Sequence, residues 1–129
     1  MNSDHVVFSS QHFAVEPKED QETNPGIYGK SLATWVAAKL NERGVPVERI
    51  IAEDFGRCVL VKSKPFMLWI GCASLDDDPT RWQMFLALER GLIARFFAGH
   101  DAKIEFERLR EHFCAIVHDI PDAADISWQ

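Results

Sequence analysis

The amino-acid sequence predicts an α+β domain in which two main helices lie on one face of an antiparallel sheet of four to five strands. Two segments each carry a single apolar stripe at the three- and four-residue spacing of a helix. Between these segments lie short apolar runs separated by turn residues, which is the pattern of a β-meander. The chain has 129 residues, which is enough for one core of ordinary size.

The first helix is predicted after a polar N-terminal region. Residues 1–23 are expected to form a short strand or arm plus a polar loop, and residues 24–129 a single α+β domain. Residues 17–26 contain no large apolar residue to anchor them in a core. Asn24 and Pro25 have the residue types of an N-cap and a first helical position, and Gly44 is a typical helix stop. The stripe between them consists of Tyr28, Leu32, Trp35, Val36 and Leu40.

Four β-like runs follow this helix, at residues 47–53, 57–62, 66–73 and 82–88. The polar residues 76–80 predict a loop before the last run. We expect residues 91–99 to form a separate segment, because Arg90 and Gly91 interrupt the apolar pattern. A single helix from Thr80 through Phe97 also fits the spacing.

The second helix is predicted over residues 101–118. Its buried side consists of Phe106, Leu109, Phe113, Ile116 and Val117. Pro121 lies just beyond the helix end, and residues 126–128 are expected to fold back as a tail. If each helix has one apolar stripe, Trp35 and Phe113 should contact the same sheet face.

Charge and hydropathy exclude two classes of partner. The formal net charge is −6, with 20 acidic and 14 basic residues, and the cations are scattered. Nucleic acid is therefore not an expected partner, because binding a phosphate backbone requires a basic patch. The sequence has no run of about 20 apolar residues and no secretory signal, so we expect a cytoplasmic protein that does not bind membranes.

The cysteines and histidines predict no metal site and no cofactor. Three cysteines are an odd number with no short-spaced pair, which indicates reduced thiols. Cys114 and His118 are four residues apart on the last helix, but a third and a fourth ligand are missing, and His112 points away from both.

The sequence Gly29-Lys30-Ser31 lacks the glycine five residues earlier that a phosphate-binding loop requires.

The strand at LWIGCAS, residues 68–74, is apolar on both faces. One face carries Phe66, Leu68, Ile70 and Cys72, and the other carries Met67, Trp69, Gly71 and Ala73. The strand from Trp82 has the same property. Such strands are expected to be buried on both sides, yet two helices cover only one face. The second face must then be covered by residues 91–99, by the N-terminal arm or by another protein chain.

The last of these alternatives defines a candidate binding surface. It consists of Met67, Trp69 and Trp82, with the carboxylates of Glu53 and Asp54 at a strand connection. Packing within the chain is the simpler interpretation of the aromatic residues, and a solvated turn is the simpler interpretation of the two acids.

Several short motifs support a resemblance to a known group of proteins. They are Gly29-Lys30-Ser31-Leu32-Ala33-Thr34-Trp35, Glu53-Asp54-Phe55-Gly56, Trp69-Ile70-Gly71-Cys72, Trp82 and Ile126-Ser127-Trp128. With these motifs the chain from Asn24 onward resembles small bacterial proteins of unassigned function. The resemblance implies a bacterial cytosolic α+β domain and assigns no catalytic or binding residue.

Two functional hypotheses follow. The first is a non-enzymatic protein-binding domain, one version of which is an acidic inhibitor or immunity-type partner of a cationic protein; a second copy of the chain is another candidate partner. The alternative is a small enzyme or small-ligand-binding domain with a pocket between sheet and helices. Its catalytic form would require Cys72, Glu53 and a distant histidine to converge.

Overall fold

A computed structural model describes residues 4–90 and 99–129 of the chain. The strands are β1 (His5–Ser9), β2 (Arg49–Glu53), β3 (Gly56–Lys62), β4 (Met67–Leu75), β5 (Asp78–Glu89) and β6 (Ala124–Trp128), and the helices are α1 (Lys30–Glu42) and α2 (Gly99–His118). A short 3-10 turn at Glu19–Gln21 lies between β1 and α1. The prediction for residues 91–99 falls outside the described residues, apart from Gly99 at the start of α2.

The strands form one antiparallel sheet in the order β2-β3-β4-β5-β1-β6. The predicted α+β class is confirmed, but the sheet has six strands within the described residues, whereas the sequence predicted four to five. The difference comes from residues 124–128, which were expected to be part of a tail and instead pair with β1. This pairing satisfies backbone groups of β1 that would otherwise form an open sheet edge.

Both helices pack on the same face of the sheet, as predicted. Phe113 of α2 is fully buried there, and Trp35 of α1 packs against the same core while partly exposed. The two helices also contact each other. From the sheet, the core includes Val6, Phe8, Leu68, Ile70, Cys72, Trp82, Met84 and Leu86.

The predicted start of α1 at Asn24 is wrong, because the helix begins at Lys30. A buried acid determines this boundary. The carboxylate of Glu19 accepts hydrogen bonds from the backbone N–H groups of Gly29 and Lys30, both at 3.1 Å, and so satisfies two donors at the helix N-terminus. The N–H of Glu16 donates to the same carboxylate at 2.8 Å. The Glu19 carboxylate therefore anchors the polar loop. The sequence predicted an unanchored loop because residues 17–26 contain no large apolar residue.

Arg57 ties this loop to the sheet. Its buried side chain on β3 donates to the Glu22 carboxylate at 2.7 Å and to the Glu19 carbonyl oxygen at 3.2 Å. The Arg57 guanidinium lowers the pKa of Glu22, chiefly through this hydrogen bond and then through its charge. The loop before α1 is thus fixed to β3 by the ion pair of Arg57 with Glu22.

The β4–β5 connection is shorter than predicted. Asp76 and Asp77 both have positive φ, at 56° and 55°, and form a two-residue hairpin turn. The Asp78 carboxylate accepts hydrogen bonds from the backbone and the hydroxyl of Thr80, at 2.8 Å and 2.7 Å. Strand β5 therefore begins at Asp78, within the predicted loop, and it extends over 12 residues. The predicted stop of α1 is confirmed, since α1 ends at Glu42 and Gly44 has φ 81°.

Candidate functional site

Three aromatic side chains form a cluster on the second face of the sheet, opposite the helices. We refer to Phe55, Trp69 and Phe85 as the aromatic cluster. The ring centroids are 5.7 Å apart for Phe55 and Trp69, 5.4 Å for Phe55 and Phe85, and 5.5 Å for Trp69 and Phe85. These separations lie in the range in which aromatic pairs attract each other beyond simple area burial.

Strand register explains how these residues meet. Side chains alternate between faces along a strand, so Trp69 on β4 and Phe85 on β5 both point away from the helices. Gly71 pairs with Phe85, and a Cβ at Gly71 would overlap the Phe85 ring. The missing side chain therefore allows the ring to lie directly on the sheet backbone. Phe55 comes from the two-residue turn between β2 and β3.

The second face is only partly buried. Met67, Trp69 and Phe85 are all partly exposed, whereas Cys58 and Leu60 on the same face are buried. The prediction that β4 and β5 are buried on both sides is therefore met in part: Gly71 and Ala73 of β4 are buried on this face, and the three larger side chains keep some exposure. The N-terminal arm does not cover this face, because its first part is strand β1 within the sheet. Phe13, which follows β1, packs against Trp35 and Trp82 on the helix side.

Carboxylates lie at the rim of the second face. Glu53 and Asp54 are exposed at the β2–β3 turn, next to Phe55 in sequence. Glu89 is exposed at the end of β5, where it pairs with Met67 of β4. Burial raises the pKa of Cys58 to about 12, and the charges of Glu53 and then Glu89 contribute to the increase. The charge of Arg49, which lies on the same face, acts in the opposite direction and lowers this pKa. The two acids are therefore close enough to act on Cys58, and Arg49 partly offsets them.

Trp82 lies apart from the other predicted surface residues. It is 1% exposed, belongs to the helix-side core, and its indole N–H donates to the Ser10 carbonyl oxygen at 3.0 Å. Trp82 therefore cannot contribute to the same surface as Met67 and Trp69 in this fold. Strand alternation accounts for the error, because on β5 it is Phe85 that points to the second face. Phe85 and Phe55 were missing from the predicted surface, although the same alternation already marks Phe85.

The structure does not bring Cys72 and Glu53 together. The thiol of Cys72 is fully buried on the helix side, and burial, followed by the nearby Cys58, raises its pKa. Glu53 is exposed at the end of β2. A protonated thiol without a neighbouring base is a poor nucleophile. The three cysteines, all within the described ranges, are thiols and form no disulfide.

His112 of α2 makes a contact with the end of α1. His112 accepts a hydrogen bond at Nδ1 from the Arg43 side chain, at 2.9 Å. Within residues 4–90 and 99–129, no group of three or more histidine, cysteine, aspartate or glutamate side chains is arranged to hold a metal ion. No helix in the same ranges is both long enough and apolar enough to cross a membrane.

A cleft of about 310 Å³ opens where the end of α1 meets the sheet and α2. Its apolar walls consist of Val45, Pro46, Val61, Leu68 and Leu109. Its charged and polar side chains are those of Arg43, Lys62, Glu105, Arg108 and His112. The residues come from four separate parts of the chain, so only the folded structure reveals this group.

Comparison of the chain with known protein families, with curated proteins and with solved structures gave no match.

Proposed function

We propose that this chain is a non-enzymatic protein-binding domain of the bacterial cytosol whose second sheet face contacts a cationic protein. The observation that carries the proposal is the partly exposed aromatic cluster with carboxylates at its rim. Both described helices pack on the opposite face. An acidic inhibitor or an immunity-type protein that neutralises a cationic target fits this surface.

The two components of the surface have different roles in binding. Tryptophan and phenylalanine supply large rigid contact areas, and such residues dominate the energy of many protein interfaces. The carboxylates of Glu53, Asp54 and Glu89, in a chain of net charge −6, attract a cationic partner and set its orientation. The aromatic cluster should therefore govern dissociation, and the acids should govern association rate and salt dependence.

A cationic partner fits better than a second copy of the chain. Two copies would each bring a net charge of −6 to the contact, and like charges oppose association. In a two-fold dimer the same patch is used by both subunits, so the acidic rims would lie close to each other. Sedimentation of the isolated protein tests this point, and we expect the mass of one chain.

The proposal is tested by affinity capture with charge variants. We expect a specific protein, identified by mass spectrometry, to be captured by the wild type and lost with the double variant Glu53→Lys, Asp54→Lys. The matched control is the double variant Glu111→Lys, Asp119→Lys, which reverses two exposed charges away from the second face and changes the net charge by the same amount. Recovery of the protein should fall as salt is added, because exposed charges are screened. Equal capture by all three baits, or a captured protein without cationic surface residues, would refute the proposal.

The cleft between α1, the sheet and α2 favours a second candidate function, a domain that binds a small ligand. Its volume of about 310 Å³ lies at the lower end of the range for ligand pockets, and it combines apolar walls with a few charged groups. This observation supports the binding form of the alternative hypothesis. Its catalytic form loses support because Cys72 and Glu53 lie in different places.

A further inference from the structure

We infer that this cleft binds a small organic carboxylate with an apolar body. The inference rests on the second candidate function, that the chain binds a small ligand between sheet and helices. It depends on three properties of the cleft. The first is its excess of positive charge, and the second is the N–H donors of its arginines that form no hydrogen bond within the protein. The third is the volume of the cleft between its apolar walls.

The charge of the cleft is opposite in sign to that of the whole chain. Arg43, Lys62 and Arg108 line the cleft with a single carboxylate, Glu105, which leaves an excess of two positive charges. The chain as a whole has a net charge of −6. Cations that converge in an acidic protein repel one another, and a bound anion would offset that repulsion.

Lys62 and Glu105 neutralise each other. The Lys62 ammonium lies 3.0 Å and 2.8 Å from the two carboxylate oxygens of Glu105, and both side chains are about one third exposed. The acid that could repel an anionic ligand is therefore occupied by its own cation. This pair forms one wall of the cleft and leaves the two arginines to recognise a ligand.

Arg43 and Arg108 retain donors for a ligand. The Arg43 side chain uses its Nε–H to donate to His112 Nδ1, so its two terminal NH₂ groups are available to another acceptor. Arg108 forms no hydrogen bond or ion pair within the described ranges, although it lies beside Glu107 and Glu111 on the outer side of α2. Planar guanidinium groups match the geometry of a carboxylate, which they bind through paired N–H donors.

The state of His112 is consistent with a positive field in the cleft. Burial lowers its pKa, and the charges of Arg43 and Arg108 lower it further, whereas Glu111 acts in the opposite direction.

The α1 C-terminus carries partial negative charge nearby. Its carbonyl groups at Lys39, Leu40 and Asn41, however, already accept hydrogen bonds from the backbone of residues 43–45.

The volume and walls of the cleft determine the body of the ligand. At the roughly 30 Å³ that a water molecule occupies in the liquid, a cleft of about 310 Å³ holds about ten non-hydrogen atoms. The buried floor is formed by Leu68 and Leu109, which are 2% and 3% exposed. Hydrocarbon fits against such a floor, and inorganic phosphate would leave it in contact with water. Octanoate has the required number of atoms and serves as the probe.

Titration calorimetry with octanoate, octanamide and acetate tests the inference on the full chain. We expect octanoate to bind, octanamide of equal size to bind about tenfold more weakly or worse, and acetate to show no heat of binding. Arg108→Gln should weaken octanoate binding by about tenfold or more, because it removes a charged donor. The matched control Arg90→Gln removes an exposed cation outside the cleft and should leave the affinity unchanged.

The possible negative results separate two claims: that the cleft binds a small ligand, and that this ligand is a carboxylate. Equal binding of octanoate and octanamide would overturn the carboxylate assignment and leave small-ligand binding intact. If neither octanoate nor octanamide binds, the carboxylate assignment and the proposed small-ligand binding are both wrong. An equal effect of Arg90→Gln and Arg108→Gln would show general charge attraction and would also overturn the inference. Amide shifts of labelled protein should change at Val45, Leu109 and His112; changes confined to Trp69 and Phe85 would place the ligand elsewhere and refute it.

Discussion

The two faces of the central sheet have similar apolar residues but different coverage. On the helix side, Val6, Phe8, Ile70 and Met84 are completely buried beneath α1 and α2. On the second face, Trp69 of β4 and Phe85 of β5 remain partly exposed. The difference shows that an apolar strand position indicates a demand for cover but does not indicate which element supplies it.

The contrast is clearest along β5. Trp82, Met84 and Leu86 are buried against the helices, and Phe85 between them is partly exposed on the other side. Large side chains are present on both sides of this strand, and those on the helix side are buried while Phe85 on the other side keeps partial exposure. Substitution of an aromatic residue on each face should therefore have different effects on folding and on binding.

The largest expected effect is on the helix side. Trp82→Ala should lower the free energy of unfolding by about 3–5 kcal/mol, because it opens a cavity in the core and removes the hydrogen bond to Ser10. The urea midpoint measures this loss. A decrease below about 1 kcal/mol would show that the helix side is not the packed face.

Much of this contrast could be predicted from the sequence. Helical spacing predicted both helices and the face they share, and alternation placed Met67 and Trp69 opposite Cys72. The strands β3 and β4 lie within two residues of their predicted ends. These features depend on local pattern, which a single sequence contains.

The features that the sequence did not predict depend on contacts between distant residues. Glu19 lies in a polar loop, and only the fold shows that its carboxylate caps α1. The cleft brings together Arg43, Lys62 and Arg108, which no spacing rule connects. Phe55 falls between the predicted strands 47–53 and 57–62, and only the fold shows that the two-residue turn directs its ring onto Trp69 and Phe85.

A smaller effect is expected on the two buried thiols, one on each face. Cys58, Gly71 and Phe85 form one cross-strand row on the second face, so Phe85→Ala should expose Cys58. Less burial lowers the pKa of its thiol, and each unit of decrease raises the thiolate fraction about tenfold. Cys72, on the helix side, should keep its wild-type protection.

Reaction with a thiol reagent in a Cys114→Ser background measures the two rates separately, with labelled sites identified by mass spectrometry. Cys114 is removed because it is partly exposed in the native protein. An equal increase at Cys58 and Cys72 would indicate global unfolding of the variant. An unchanged rate at Cys58 would show that the Phe85 ring does not cover this thiol.

The most direct test of the second face as a binding surface is Trp69→Ala, compared with Trp35→Ala. Both tryptophans are partly exposed, but Trp35 lies on α1. For each variant we would measure the urea midpoint and the Kd for the protein captured by the wild type. We expect Trp69→Ala to cost at most about 2 kcal/mol of stability and to weaken binding about thirtyfold, with Trp35→Ala leaving Kd unchanged. A stability loss of about 3–5 kcal/mol with an unchanged Kd would show that Trp69 is a core residue and would contradict the account.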